Sequence, residues 1–171
     1  MPEVLGIGGG NAALCAALEA RNAGAKVVML EAASEEESGG NSRFAGGMMR
    51  FTYNGIEDLR TLLEITDEEA RNTDWDTNTV DEFYDDLYKV TNYRTDPRLS
   101  ELLITRSLES MQWLRKQGVH FVLNYRAASA VVDGRRRFFG GMAVEVSGGG
   151  PGLVQFLDQA AVKAGVEVHY E

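Results

Sequence analysis

Apolar positions along the chain fall into two periods. Val4 to Ile7 and Lys26 to Glu31 (KVVMLE) are short continuous apolar runs, which read as buried strands. Between them, Asn11 to Ala23 is rich in Ala and Leu and is followed by Gly24, the pattern of a helix with a glycine stop. The first 31 residues therefore predict strand, glycine turn, helix, strand. Connections this short imply parallel pairing through a right-handed crossover. Residues 32–55 carry Gly39, Gly40, Gly46, Gly47 and Gly55 and read as loop. Ile56 to Glu64 predicts a short helix. Thr79-x-x-Glu82 is a capping box that opens a helix to about Thr91. Asp96-Pro97 starts another helix that runs to Gln117, with Leu99, Leu103, Met111 and Leu114 near one face. Val119 to Leu123 predicts a strand. Ala128 to Val132 and Arg137 to Gly140 flank Asp133-Gly134, a hairpin signal. Gly148 to Gly150 lead through Pro151 into a helix ending at Gly165. Val166 to Glu171 alternates as a last strand. The fold class is α/β, Rossmann-like: a parallel sheet with flanking helices and a β-hairpin.

Composition narrows the chemistry. The 171 residues include one Cys, so no internal disulfide forms. No stretch is long and apolar enough to span a membrane, and the N-terminus lacks the basic flank of a signal peptide, which makes the cytoplasm the default compartment. Lys and Arg number 17 against 26 Asp and Glu, a formal charge of -9, which argues against nucleic acid as a partner. Residues 57–86 hold twelve acids and two Arg, close to the whole surplus, and read as a solvated helical surface.

One motif carries chemistry on its own. Gly8-x-Gly10-x-x-Ala13 lies between a strand and a helix, where a dinucleotide fingerprint belongs. Gly8 permits the sharp turn, Gly10 lets a pyrophosphate reach the main chain, and Ala13 is small enough for helix to pack on strand. Glu31 ends the second strand, 23 residues after Gly8, placed to accept hydrogen bonds from ribose hydroxyls. Its charge would repel the 2′-phosphate of NADP; FAD and NAD both remain. A second glycine-rich loop, Gly39-Gly40-Asn41-Ser42 with Gly46-Gly47, offers close backbone approach and small polar side chains. That suits a further cofactor contact or an ordinary surface loop equally. His120 and His169, the only histidines, lie on apparent strands and read as structural. Cys15 reads as packing inside the first helix. Arg135-Arg136-Arg137 reads as a solvated hairpin tip.

The runs VLGIGGGNAALCAALEARNAGAKVVMLEAA and GGNSRFAGGMMR, with FFGGMAVEVSGGGPGLVQFL downstream, resemble the fumarate reductase/succinate dehydrogenase flavoprotein superfamily, and most closely its tricarballylate dehydrogenase branch. The resemblance implies non-covalent FAD. Gly8, Gly10 and Ala13 would meet its pyrophosphate and Glu31 its adenosine ribose, while Asn41, Ser42, Gly46 and Gly47 would lie along the flavin and its linker. Covalent relatives carry a histidine where Asn41 stands. Arg50 matches an arginine of the branch and would hold a phosphate, a carboxylate or a surface position. Gly149, Gly150 and Gly152 match a segment near the flavin. The implied reaction is desaturation of a carbon–carbon bond flanked by carboxylates, tricarballylate to cis-aconitate, on a small carboxylate substrate; the alternatives are another fumarate reductase/succinate dehydrogenase-like or ketosteroid dehydrogenase flavoprotein, or a non-catalytic nucleotide-binding fragment. Family members are typically more than twice this long. The resemblance therefore implies that residues 1–171 are the N-terminal portion of an FAD-binding domain, with a helical insertion at about 56–117. The capping domain and the catalytic arginine would lie further on. Inactivity of the isolated chain is one expectation. Another is self-association, because Val4 to Ile7 would then be an exposed apolar sheet edge.

Overall fold

The computed structural model describes residues 1–171. By contacts the chain divides into two compact units. The first is Met1–Gly47, Gln117–His120 and Val146–Glu171, and the second is Met48–Lys116 and Phe121–Glu145.

The first unit begins as the sequence pattern predicts: β1 (Val4–Ile7), α1 (Asn11–Asn22) and β2 (Val27–Glu31). A 3-10 turn (Glu35–Glu37) and a one-turn helix, α2 (Gly40–Arg43), interrupt what reads as loop. In the second unit, α3 (Ile56–Arg60), α4 (Asp67–Asn72), β3 (Thr73–Asp74), α5 (Val80–Val90), α6 (Pro97–Thr105) and α7 (Ser107–Lys116) follow. Then come β4 (Phe121–Leu123), β5 (Ser129–Val132), β6 (Arg135–Phe138) and β7 (Val144–Val146). The chain returns to the first unit through α8 (Gly149–Lys163) and β8 (Glu167–Tyr170).

The first unit's sheet has the order β1-β2-β8, parallel throughout, with Val4 opposite Val27 and Met29 opposite Val168. Leu14, Ala17 and Leu18 of α1 and Leu157 and Ala161 of α8 are buried with Val27 and Met29 of β2. Strand residues alternate between faces, so Leu5, Ile7, Val28 and Leu30 share the opposite one in register. That face is open: Leu5 is 55% exposed, Ile7 79% and Leu30 42%. β1 is an edge strand.

In the second unit, β5 and β6 form the hairpin that Asp133-Gly134 signals, with both turn residues at positive φ (50° and 77°). β3 joins β6 in parallel, and β4 pairs with β7. The capping box at Thr79 is present, its hydroxyl accepting from the Glu82 N–H. Asp96 caps α6 through the Arg98 and Leu99 N–H groups.

One expectation is corrected and another refined. The single helix expected from Pro97 to Gln117 breaks at Arg106 into α6 and α7. The break buries Ser107, whose hydroxyl donates to Ile104 O (2.8 Å) and accepts the Thr52 N–H (2.9 Å). Leu99 and Leu103 lie exposed on α6, which buries Ser100 and Ile104 instead, while Met111 and Leu114 of α7 are buried. Arg135, Arg136 and Arg137 follow the hairpin turn within β6, and Arg135 and Arg137 are exposed as expected but not unpaired. Arg135 and Arg137 reach Asp74 across the β3–β6 pair (2.7 and 3.6 Å), and Arg136 covers the Tyr125 ring.

Candidate functional site

The site grows from the turn after β1. Gly8 turns the chain at φ +101°, where an L side chain would be strained, and its N–H donates to Leu30 O at 2.8 Å. Gly10 is the extended residue before α1, and no side chain caps the helix from that position. The first-turn N–H groups of a helix have no internal acceptors and carry partial positive charge. Here the Asn11 N–H finds the Ser42 hydroxyl at 3.1 Å, while those of Gly10, Ala12 and Ala13 have no acceptor in the protein. Such an end is suited to an anion.

Glu31 closes one side of the turn. Its Oε2 accepts the Gly9 N–H and its Oε1 the Ala33 N–H (2.9 Å). The carboxylate is thus fixed beside the glycine turn with lone pairs still available for hydroxyl donors. Tyr170 lies opposite Glu31 in the β2–β8 register. Burial first, then the charges of Asp158 and Glu35, push its phenol up to about 12.

The second glycine loop meets the first. Gly39, buried and at φ +109°, directs the chain into α2. A Cβ on Gly10 would lie 3.4 Å from Gly39 O and 3.5 Å from Ser42 Oγ, so the two loops are in near contact. Gly46 and Gly47 run beside the start of α8. Val146 N–H donates to Gly47 O (2.9 Å), Gly150 N–H donates to Ala45 O (2.9 Å), and a Cβ on Gly47 would fall 2.6 Å from Gly149 Cα. Gly8, Gly10, Ala13, Glu31 and Ser42 therefore converge on one turn, and Gly46 and Gly47 bind that loop to α8. Asn41 is exposed on α2 and its side chain makes no hydrogen bond within the protein.

The remaining candidates each make local contacts. Arg50 pairs with Asp86 (2.5 Å), donates to Asn78 Oδ1 (3.0 Å) and covers the Phe83 ring. His120 is exposed and stacks on Phe156, and His169 pairs with Glu167 (2.8 Å). Cys15 donates to Asn11 Oδ1, and burial followed by Glu19 pushes its thiol up to about 11. No group of three or more His, Cys, Asp or Glu side chains is placed to hold a metal. Gly9, the residue between the fingerprint glycines, goes unmarked in a motif reading, although its N–H is one of two that hold Glu31.

Bare amides, glycines without Cβ and a carboxylate acceptor suit a diphosphate joined to a ribose. A family model described as an FAD binding domain matches residues 3–171. The chain belongs to this family. Its cofactor is FAD, and the donor set above fits that group. Within the fumarate reductase/succinate dehydrogenase flavoproteins, a probable fumarate reductase of Shewanella frigidimarina is 29% identical, over 96% of this chain and 24% of the relative. A fumarate reductase (cytochrome) from Shewanella frigidimarina is 28% identical over 97% and 25%. The chain thus spans about a quarter of the length of these relatives. Among solved structures, the open conformation of a flavocytochrome c3 fumarate reductase aligns with TM-score 0.68 and 26% identity, covering 99% of this chain and 26% of that one. A 3-ketosteroid-Δ4-(5α)-dehydrogenase from Rhodococcus jostii shares the fold, with TM-score 0.70 at 21% identity over 99% of this chain and 37% of that one. No helix of this chain is long and apolar enough to cross a membrane.

Proposed function

We propose that residues 1–171 are the cofactor-holding part of a flavin-dependent oxidoreductase of the fumarate reductase/succinate dehydrogenase type. Within that type we favour desaturation of a small polycarboxylate, tricarballylate to cis-aconitate, as the resemblance of GGNSRFAGGMMR and its flanks to that branch implies. The supporting observation is the convergence of two glycine loops on the start of α1, with Glu31 fixed one residue away. When bound, FAD would supply the hydride acceptor.

The chain's own residues bind and orient. The Gly10, Ala12 and Ala13 amides would hold the diphosphate, and Glu31 would hold the adenosine ribose. Ser42, Gly46 and Gly47 would border the path toward the flavin. Binding is non-covalent in this reading, because Asn41 offers no nucleophile. Neither histidine is placed for proton transfer at this site: each is exposed and engaged with a local neighbour. The cytoplasm remains the compartment we favour.

The test is titration of the purified, folded chain with FAD, followed by flavin fluorescence and visible absorbance, with NAD as the comparison. Saturable uptake of FAD and none of NAD is expected. A folded chain that takes up neither would overturn the reading. Substrate assignment needs the longer relatives: turnover of tricarballylate in preference to fumarate or a ketosteroid by a full-length form would uphold the branch. The opposite preference would reassign it.

A further inference from the structure

The three arginines of β6 divide between the two faces of their strand. Arg135 and Arg137 share the face on which Asp74 answers both, at 2.7 and 3.6 Å. Arg136 lies on the other face, and no ion pair neutralises it. It is half-buried and held in place. Its guanidinium lies 4.9 Å from the centre of the Tyr125 ring, and its Nη1 donates to Ser129 Oγ at 2.9 Å. Most of the guanidinium donors remain unused. A fixed cation of this kind suits a carboxylate.

Arg136 lines a cavity of about 400 Å³ within the second unit. Thr73, also in the lining, pairs with Arg136 in the β3–β6 register and so presents its side chain on the same face. Another part of the lining is anionic. The Glu69 carboxylate accepts the Tyr125 hydroxyl (2.7 Å) and the Thr66 N–H (2.8 Å), which fix it. Glu68, next to it, is exposed and makes no bond within the chain. These carboxylates stay beyond ion-pair distance of Arg136, which leaves room between them for a molecule carrying the complementary pair of charges.

We propose that this cavity binds a zwitterionic amino acid, its carboxylate on the Arg136 guanidinium and its ammonium on Glu68 and Glu69. Arg136 is braced by Tyr125 and Ser129, and Glu69 by Tyr125 and Thr66, so both charges are set before the ligand arrives, and that preorganisation supports affinity. The proposal is independent of the FAD reading, since the glycine turn belongs to the first unit.

The experiment titrates the 171-residue chain with L-alanine and follows the Tyr125 ring and the Arg136 side chain by nuclear magnetic resonance. Acetate and methylammonium serve as probes that carry one charge each. L-alanine should shift both resonances saturably. A lost charge-assisted contact costs about tenfold or more in affinity, so each one-charge probe should bind more weakly by that factor. Arg136→Met keeps an apolar stem over the Tyr125 ring and should weaken L-alanine binding to a similar degree. Glu68→Gln should do so too, with an unchanged melting temperature. Arg135→Gln removes the same charge from the other face and should leave the affinity at its native value. Resonances that ignore L-alanine would overturn the proposal. So would acetate binding as tightly as L-alanine, which would make the cavity a site for carboxylates alone. Equal losses in Arg135→Gln and Arg136→Met would also overturn it, by reducing the effect to net charge. The one-charge probes are compared on the native chain, so the proposal stays open to refutation even if Arg136→Met does not fold.

Discussion

Gly47→Ala tests whether the second glycine loop is joined to α8 as tightly as the geometry requires. The added methyl meets two costs. Gly47 sits at φ +78°, where an L side chain costs about 1–2 kcal/mol. Its Cβ would fall 2.6 Å from Gly149 Cα and 2.8 Å from Gly149 C, both main-chain atoms that cannot rotate aside. Relief requires the loop and the start of α8 to part, and that threatens the Val146 N–H to Gly47 O and Gly150 N–H to Ala45 O bonds, both 2.9 Å. At about 1 kcal/mol for each bond the total approaches 3–4 kcal/mol. For a chain this long that lowers the melting temperature by roughly 6–16 °C. Gly24→Ala is the matched control: φ is +90°, and nothing lies within 4 Å of its Cβ, so only the backbone cost applies. Thermal melts followed by circular dichroism compare the two. A Gly47→Ala chain that melts no lower than Gly24→Ala would refute the claimed contact between loop and helix.

Thr79→Ala removes the hydroxyl that accepts the Glu82 N–H at the start of α5 and should cost about 1 kcal/mol in urea unfolding; no change would deny the cap its role. Acid should destabilise the chain through four carboxylates held below their usual range: Glu69 by Tyr125, Asp74 by Arg135, Glu82 by the Thr79 N–H and Asp86 by Arg50. Depressed folded values mean this stabilisation is complete above about pH 4, the unfolded carboxylate range, and is lost as pH falls through the folded values; a urea midpoint unmoved in acid would contradict it. Cys15, with its thiol pushed up by burial, should react with an aromatic disulfide reagent far more slowly in the folded chain than in urea; equal rates would remove the burial argument. The 171-residue chain should self-associate through the open β1 edge and the bare Leu5, Ile7 and Leu30 face, and Ile7→Lys should weaken that association; sedimentation showing a monomer at all concentrations would refute it.

What the sequence announces and what it conceals divide by distance along the chain. The β1–α1–β2 unit is legible because its signals are local: an apolar run, a glycine turn, an Ala-rich helix with Gly24 behind it. The hairpin at Asp133-Gly134 and the caps at Thr79 and Asp96 are legible for the same reason. The α6–α7 break is not, because the demand it meets is the Thr52 N–H, 55 residues away. Arg135 and Arg137 are exposed, as they read, but their pairing with Asp74 has no signal in the sequence. Thr66-x-x-Glu69 is the same capping box as Thr79, but the helix it opens, DEEARN, has no apolar face to draw attention. In the site, the fingerprint glycines and Glu31 stand out by spacing. The bond from Ser42 to Asn11 and the space Glu31 takes above Gly9 are tertiary facts with no sequence period.

The cofactor turn is assembled from pieces made at very different times. Residues 8–13 and 39–47 emerge from the ribosome early, whereas Gly149 and Gly150, which clamp the second loop, follow only after the whole second unit has been synthesised. A nascent chain that has reached α7 would hold both glycine loops, joined by the Asn11 N–H to Ser42 bond but without the α8 contacts on Ala45 and Gly47, so full capture of flavin should wait for α8 to be made. Contacts this far apart in sequence also form slowly.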